Sequence, residues 1–322
     1  MKRVFIIAVA AALAAAAWAS PPQYEYEGQW GTPGIANGQF LYPTRLALNP
    51  ARTLYVTDWK NHRVQYFTAT GSFLGKWGSA GSGNGEFHQP TGLEVAPNGN
   101  IYVADQLNHR LQYFTSAGSF LGKWGSNGTG AGQFEQPVGL AIASTGRVYV
   151  ADTGNHRVQY FTSTGSFLGS WGSAGSRNGE FTAPFSAEFA ANGNLYVADF
   201  GNHRVQYFTS AGSFLGKWGS YGVGPGQFRG PDHVAIWKGI VYVSEWDNSR
   251  VQYFTLTGSY LGAFGGPGTG NGRFQTPNGV ELTSDGKRLY VADGVNCRVQ
   301  YFKQVNPTVA PASLGEIKAL FR

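Results

Sequence analysis

The chain has one cysteine in 322 residues, Cys297, so no intramolecular disulfide can staple the fold and stability has to come from packing and closure. Charge is scarce too, with Asp, Glu, Lys and Arg making up 13% of the residues. The formal net charge of +6 is mild and comes without a basic run, so composition does not call for a nucleic-acid partner. There is one long apolar stretch, residues 4–18, at the very start; nothing later is long and apolar enough to suggest a stable membrane span. Helical periodicity is missing from the body of the chain, which excludes helical solenoids.

What the chain does have is 47 glycines, 17 tyrosines and 22 phenylalanines, a composition suited to an all-β protein with many tight turns. Its opening, MKRVFIIAVAAALAAAAWAS, reads as a secretory leader. Lys2 and Arg3 are the basic head, the apolar run follows, and Ala17-Trp18-Ala19 is a small-x-small cleavage site. Cleavage after Ala19 leaves 22 basic against 18 acidic residues. The expected location is therefore secreted, periplasmic or extracellular.

The stretch Tyr102 to Phe114, YVADQLNHRLQYF, recurs almost letter for letter. Its acidic residue returns at Asp58, Asp105, Asp152, Asp199, Glu245 and Asp293, at steps of 47, 47, 47, 46 and 48 residues. A fixed period of this length marks one structural unit repeated. Within one unit the turn chemistry predicts four short strands. Strand a covers Thr91 to Val95, followed by an Asn-Gly hairpin turn. Strand b runs from Ile101 to Asp105, strand c from Arg110 to Thr115, and strand d from Ser119 to Gly125. Four antiparallel strands per unit make a propeller blade. The last unit lacks a strand d, whereas Tyr24 to Gly31 (YEYEGQWG) resembles an orphan one, with Trp30 standing 47 residues before Trp77. The expected fold is an all-β, six-bladed β-propeller of four-stranded antiparallel blades, closed by the N-terminal strand completing the last blade. The expected division is 1–19 leader, 20–303 propeller, and 304–322 linker and short helix, with Ser313-Leu314-Gly315-Glu316 as a capping box.

Asn-His-Arg followed by an apolar-Gln-aromatic strand resembles the signature of NHL repeats, and GNGEFHQPTGLEVAPNGNIYVADQLNHRLQYF is similar to that family's repeat over its whole length. The resemblance covers Tyr24 to Phe302. It implies a six-bladed propeller and no single function, because the family includes amidating lyases, sensor domains, and RNA- or protein-binding domains. In the lyases, metal-binding histidines would be expected just after the Pro that opens strand a. Here those residues are Thr44, Thr91, Val138, Phe185, Asp232 and Asn278, and His233 stands one place further on without a second histidine of its kind.

Residues that recur in every unit read as frame. His62, His109, His156 and His203 sit on successive blades, too far apart to share a metal ion, and are expected to cap turns. Cys297 occupies the same slot. Asp105 and Arg110, with their counterparts, are expected to pair across the b–c turn. The Trp and Phe residues of strand d are expected to pack between blades.

Candidate site residues are those that differ between units. The fourth residue after the Pro of strand a alternates around the ring: Ala47, Glu94, Ala141, Glu188, Ala235, Glu281. With strand a innermost, Glu94, Glu188 and Glu281 form a pseudo-threefold set near the axis, and Arg45 and His233 share their face as expected counter-ions. Carboxylates withdrawn from water need partners, or their pKa values rise. Two forms stay open, a solvated structural channel and an axial site that takes calcium or magnesium or works as an acid–base pair such as His233 with Glu188. The second set lies on the b–c turns, where Trp59, Lys60, Leu107, Phe200 and Trp246 would present aromatic and apolar side chains around one mouth of the channel. The leading expectation is a monomeric, non-catalytic binding module for a protein, peptide or glycan, using Arg45, Trp59, Lys60, Glu94, Leu107, Glu188, Phe200, His233, Trp246 and Glu281, with no cofactor and no bound metal. The alternative is a metal-assisted or acid–base lyase or hydrolase with its site in the channel.

Overall fold

The structure, a computed structural model, describes residues 21–305. The expected leader and residues 306–322 of the expected tail lie outside the described residues. The rest of the chain forms six four-stranded antiparallel sheets arranged as blades around a channel. Blades 1 to 5 occupy residues 43–77, 90–124, 140–171, 184–218 and 231–265. Blade 6 takes its three inner strands from residues 277–305 and its outer strand from Gln23–Trp30. That strand pairs antiparallel with Arg298–Val305, from Gln23 opposite Val305 to Trp30 opposite Val299. The expected closure is therefore present, and the last strand runs two residues past the expected propeller end at 303.

Blade 2 shows how the sequence makes each sheet. Its strands are Pro90–Val95, Ile101–Asp105, Arg110–Phe114 and Phe120–Trp124, within a residue of expectation at each end. Strand a starts at the proline because Pro90 pairs with Asp105, and a bulge between Pro90 and Leu93 re-aims the residues between them. Strand b is buried on both faces. Ile101 and Val103 pack toward blade 1 with Leu93, while Tyr102 and Ala104 pack toward blade 3 with Leu140 and Val150. Period-2 alternation thus serves two cores at once.

The repeated polar residues tie loops to blades. Asp105 accepts from Arg110 Nε at 2.7 Å, from Gln112 Nε2 at 3.0 Å, from Asn108 Nδ2 at 2.9 Å and from the His88 N–H at 2.7 Å. The Arg110 guanidinium then donates to the carbonyls of Ser82, Gly83 and Glu86 in the loop before the blade. A buried carboxylate satisfied four times over explains why this pattern repeats so strictly. The recurring tyrosine reaches the next blade's c–d turn. Tyr102 Oη donates to Ser163 O at 2.9 Å, and Tyr290 closes the circle on Ala69 O at 2.9 Å.

The histidines do more than end a turn. His62, His109, His156 and His203 all adopt left-handed backbone. Each uses Nδ1 to accept the N–H of a residue in the loop that leads into the following blade, Gln89, Gln136, Ala183 and Gly230 respectively. They are inter-blade clips. Ser249 and Cys297 keep the left-handed backbone at blades 5 and 6 without that ring. The strand-d tryptophans pack as expected across the blade boundary, Trp77 against Phe114 at 5.7 Å between ring centroids.

Candidate functional site

The prolines that open strand a set a ring of side chains at one mouth of the channel. Arg45 projects from blade 1 across this ring and is tied to three other blades. It holds Asp232 of blade 5 through two parallel bonds, Nη1 to Oδ2 at 3.0 Å and Nη2 to Oδ1 at 3.1 Å. It also donates to Asn278 O of blade 6 at 3.0 Å and to Phe185 O of blade 4 at 3.2 Å. Both charged side chains are 3–4% exposed, and the Arg45 Nε has no hydrogen-bond partner among the described residues. Burial pushes the Asp232 carboxyl up, and the Arg45 charge and hydrogen bonds oppose that rise. A forked pair of this kind fixes geometry as well as charge.

Above this floor lies a cavity of about 300 Å³. Tyr42, Trp59, Lys60, Phe185 and Trp246 line it, together with Thr91, Gln106 and Val138. The aromatic rings form a continuous arc. Trp59 meets Tyr42 at 5.6 Å, Tyr42 meets Trp246 at 6.4 Å, and Trp246 meets Phe185 at 6.4 Å. Phe200 stands behind the wall, stacked on Phe185 at 4.2 Å. Trp59 Nε1 donates to Gln106 Oε1 at 3.1 Å, and Lys60 Nζ lies 5.7 Å from the Tyr42 ring centre.

A second cavity, of about 530 Å³, shares no lining residue with the first. Glu188, His233 and Glu281 line it, among Leu48, Val95, Ile142 and Trp237. Burial pushes the Glu188 carboxyl up to about 8. Glu281 rises for the same reason, with the charge of Glu188 adding to it. Glu94 is near enough to feel both, and is raised by burial and then by Glu188 and Glu281. Each glutamate is half-buried. His233 is held neutral, its pKa lowered by burial and then by Arg45, with Nδ1 3.1 Å from Val280 O.

The structure thus divides the residues singled out by sequence between two ends of the channel. Arg45, Trp59, Lys60 and Trp246 come together at one end, and Glu188, His233 and Glu281 at the other, with Glu94 close enough to feel the charges of Glu188 and Glu281. Arg45 is not the counter-ion of the glutamates. The bulge at the start of strand a sends it to Asp232 instead. Leu107 does not line the aromatic cavity. Gln106 takes the inward place beside Trp59, while the Leu107 N–H is bonded to His88 O. His233 bonds to the backbone of blade 6, and no hydrogen bond to Glu188 is found among the described residues. No three His, Cys, Asp or Glu side chains among the described residues gather closely enough to hold a metal ion.

Asp232, Tyr42 and Phe185 were not singled out by sequence. Asp232 was legible as the only charge among the residues that follow the strand-a proline. Tyr42 was legible as an aromatic where the other blades carry Gln, Gln, Ala, Gly and Thr. Its φ of 66° is not peculiar to it, because Gln89, Gln136, Ala183, Gly230 and Thr276 share the left-handed backbone at the same place in the other blades.

A family model described as NHL repeat matches residues 40–67, 87–114, 134–161 and 189–208, each match reaching the end of a strand c. The chain belongs to the NHL-repeat family. Blades 5 and 6 fall outside those matches, and they carry the departures Glu245, Ser249 and Cys297. No curated protein shows significant similarity to this NHL-repeat chain. Several solved structures share its fold. One is a Bacteroides thetaiotaomicron protein of unknown function, with TM-score 0.68, 14% identity, and coverage of 88% of this chain and 76% of the other. An auxiliary nutrient binding protein from Bacteroides ovatus gives TM-score 0.65 and 13% identity, covering 88% and 78%. A gluconolactonase from Xanthomonas campestris gives TM-score 0.64 and 14% identity, covering 89% and 97%. At these identities the likeness is one of fold, and the fold serves both binding and catalysis.

Proposed function

We propose that this NHL-repeat protein is an exported, non-catalytic binding module, periplasmic or extracellular, whose ligand docks in the aromatic cavity above the Arg45–Asp232 floor. The observation that carries the reading is that cavity itself. It is a concave, ring-walled space of about 300 Å³ with a fixed floor, the form small-ligand and peptide-anchor sites take. Aromatic walls of this kind accept a peptide side chain or a sugar face without a catalytic group nearby. The nutrient-binding neighbour is consistent with such a use of the fold. Trp59 and Trp246 make the test direct. Titration with peptide and glycan panels should change tryptophan fluorescence in the wild type, and Trp246→Ala should abolish the response. Saturable binding that survives Trp246→Ala would place the ligand elsewhere.

A second reading has its own observation. Glu188, with a carboxyl near 8, could act as a general acid in the opposite cavity, which would suit a lyase or hydrolase. This acid–base form predicts turnover that Glu188→Gln abolishes while leaving ligand affinity at the aromatic end intact.

A further inference from the structure

The charges and the exhausted polar groups of the aromatic cavity narrow what it can hold. Three formal charges line it, those of Arg45, Asp232 and Lys60. Arg45 and Asp232 cancel each other in the forked pair of the floor. Lys60 is left over, and among the described residues it has no ion-pair partner. Its ammonium already lies over the rings of Tyr42 and Trp59, at 5.7 and 6.0 Å from their centres. The cation-binding faces of those rings are therefore served from within the protein, and a cationic ligand would meet a like charge at the mouth.

Several neutral polar groups of the wall are occupied as well. Thr44 and Thr57 hydroxyls bond to each other at 2.8 Å, Thr91 donates to Pro137 O, and the Asn278 amide donates to Pro43 O. Trp59 Nε1 is taken by Gln106. A sugar would bury hydroxyls against a wall with few free partners, at a cost for each left unmatched. An aromatic ring needs none.

Building on the binding reading above, we propose that the cavity recognises an aromatic ring that carries a carboxylate within reach, with the ring inside the arc of Tyr42, Trp246 and Phe185 and the carboxylate on Lys60 at the rim. Two sources offer that chemistry, a free aryl acid and the C-terminal aromatic residue of a peptide.

The test is isothermal titration of the full chain with four probes: 3-phenylpropionate, the peptide Gly-Gly-Gly-Phe, the same peptide as its C-terminal amide, and 2-phenylethylamine. The expected result is that at least one of the two acids binds about tenfold or more tightly than the amide, with the amine weakest. Lys60→Met should erase the difference between acid and amide while the melting temperature changes little, because the Lys60 side chain is exposed and, among the described residues, makes no ion pair and touches only the Tyr42 and Trp59 rings. Binding of the peptide acid alone assigns the peptide source, and binding of 3-phenylpropionate assigns the free acid. Equal binding of acid and amide, lost in Trp246→Ala, would overturn the charge assignment and leave the ring cavity standing. Tightest binding of the amine would overturn it as well. No binding by any probe, with a glycan or an aliphatic peptide bound instead in a Trp246-dependent way, would overturn the aryl-acid assignment alone. A ligand bound with equal affinity by Trp246→Ala would overturn the binding reading on which it rests.

Discussion

Arg45 and Asp232 show how little room single residues have at the axis. Removing either leaves a buried charge facing backbone, which costs about 3–5 kcal/mol in comparable sites. Arg45→Met alone should therefore lower stability by that order. Arg45→Met combined with Asp232→Asn should recover a large share of the loss, and chemical denaturation of the three proteins would show it. If the double variant is no better than the single, the pair is not the source of the cost. At the other end the sign is reversed. The folded state holds the Glu188 proton to about pH 8, whereas the unfolded chain releases it near the ordinary value of 4.5. Stability from this group is full below the unfolded value and is lost as pH rises through the folded one. The melting temperature should fall between about pH 5 and about pH 9, and Glu188→Gln should flatten that fall and melt higher than wild type at the alkaline end. A Glu188→Gln protein with the wild-type slope would mean that water already solvates the channel fully.

The elements were legible because each local signal agreed with the next. Asn98-Gly99 set the a–b hairpin, the alternation in Ile101 to Asp105 set a strand buried on both sides, and Asp105 with Arg110 set the b–c turn. The site was only partly legible. Trp59 and Trp246 stood out because they vary between otherwise equal turns. Which side chain of a turn points inward depends on its seating on the preceding loop, and that is why Gln106 displaced Leu107. The destination of Arg45 depends on a bulge, which a period-2 pattern does not encode. The histidine clips belong to this scale too. His156→Ala removes the acceptor for the Ala183 N–H and should cost about 1 kcal/mol without changing the fold. At His62 burial, then His88, lowers the pKa, so its contribution is complete above the unfolded value of about 6.5 and is lost as pH falls through the lower folded one. Tyr42→Gln, which installs the residue of blades 2 and 3, should likewise keep the fold while weakening ligand binding severalfold. Unchanged affinity in that variant would remove Tyr42 from the site.

At the scale of the whole molecule the ring depends on one composite blade. The strand Gln23–Trp30 covers the edge of Arg298–Val305, and its neighbours reinforce it. The Tyr24 and Tyr242 hydroxyls meet at 2.6 Å, Tyr253 Oη donates to Pro22 O at 2.7 Å, and Arg288 pairs with Glu27. Deleting residues 23–30 should lower the melting temperature sharply and turn the protein toward self-association, because a full strand edge becomes free. Light scattering that still shows a well-folded monomer would mean the other blade contacts hold the ring unaided. The same seam has a mechanical consequence. Gln23 and Val305 face each other at one end of an antiparallel pair, so tension applied to the two ends of the propeller pulls at a single rung. The rungs would then break in succession, as a zipper opens, and never share the load as they would in shear. A ring held together around its whole circumference would yield to a small force applied at its own ends.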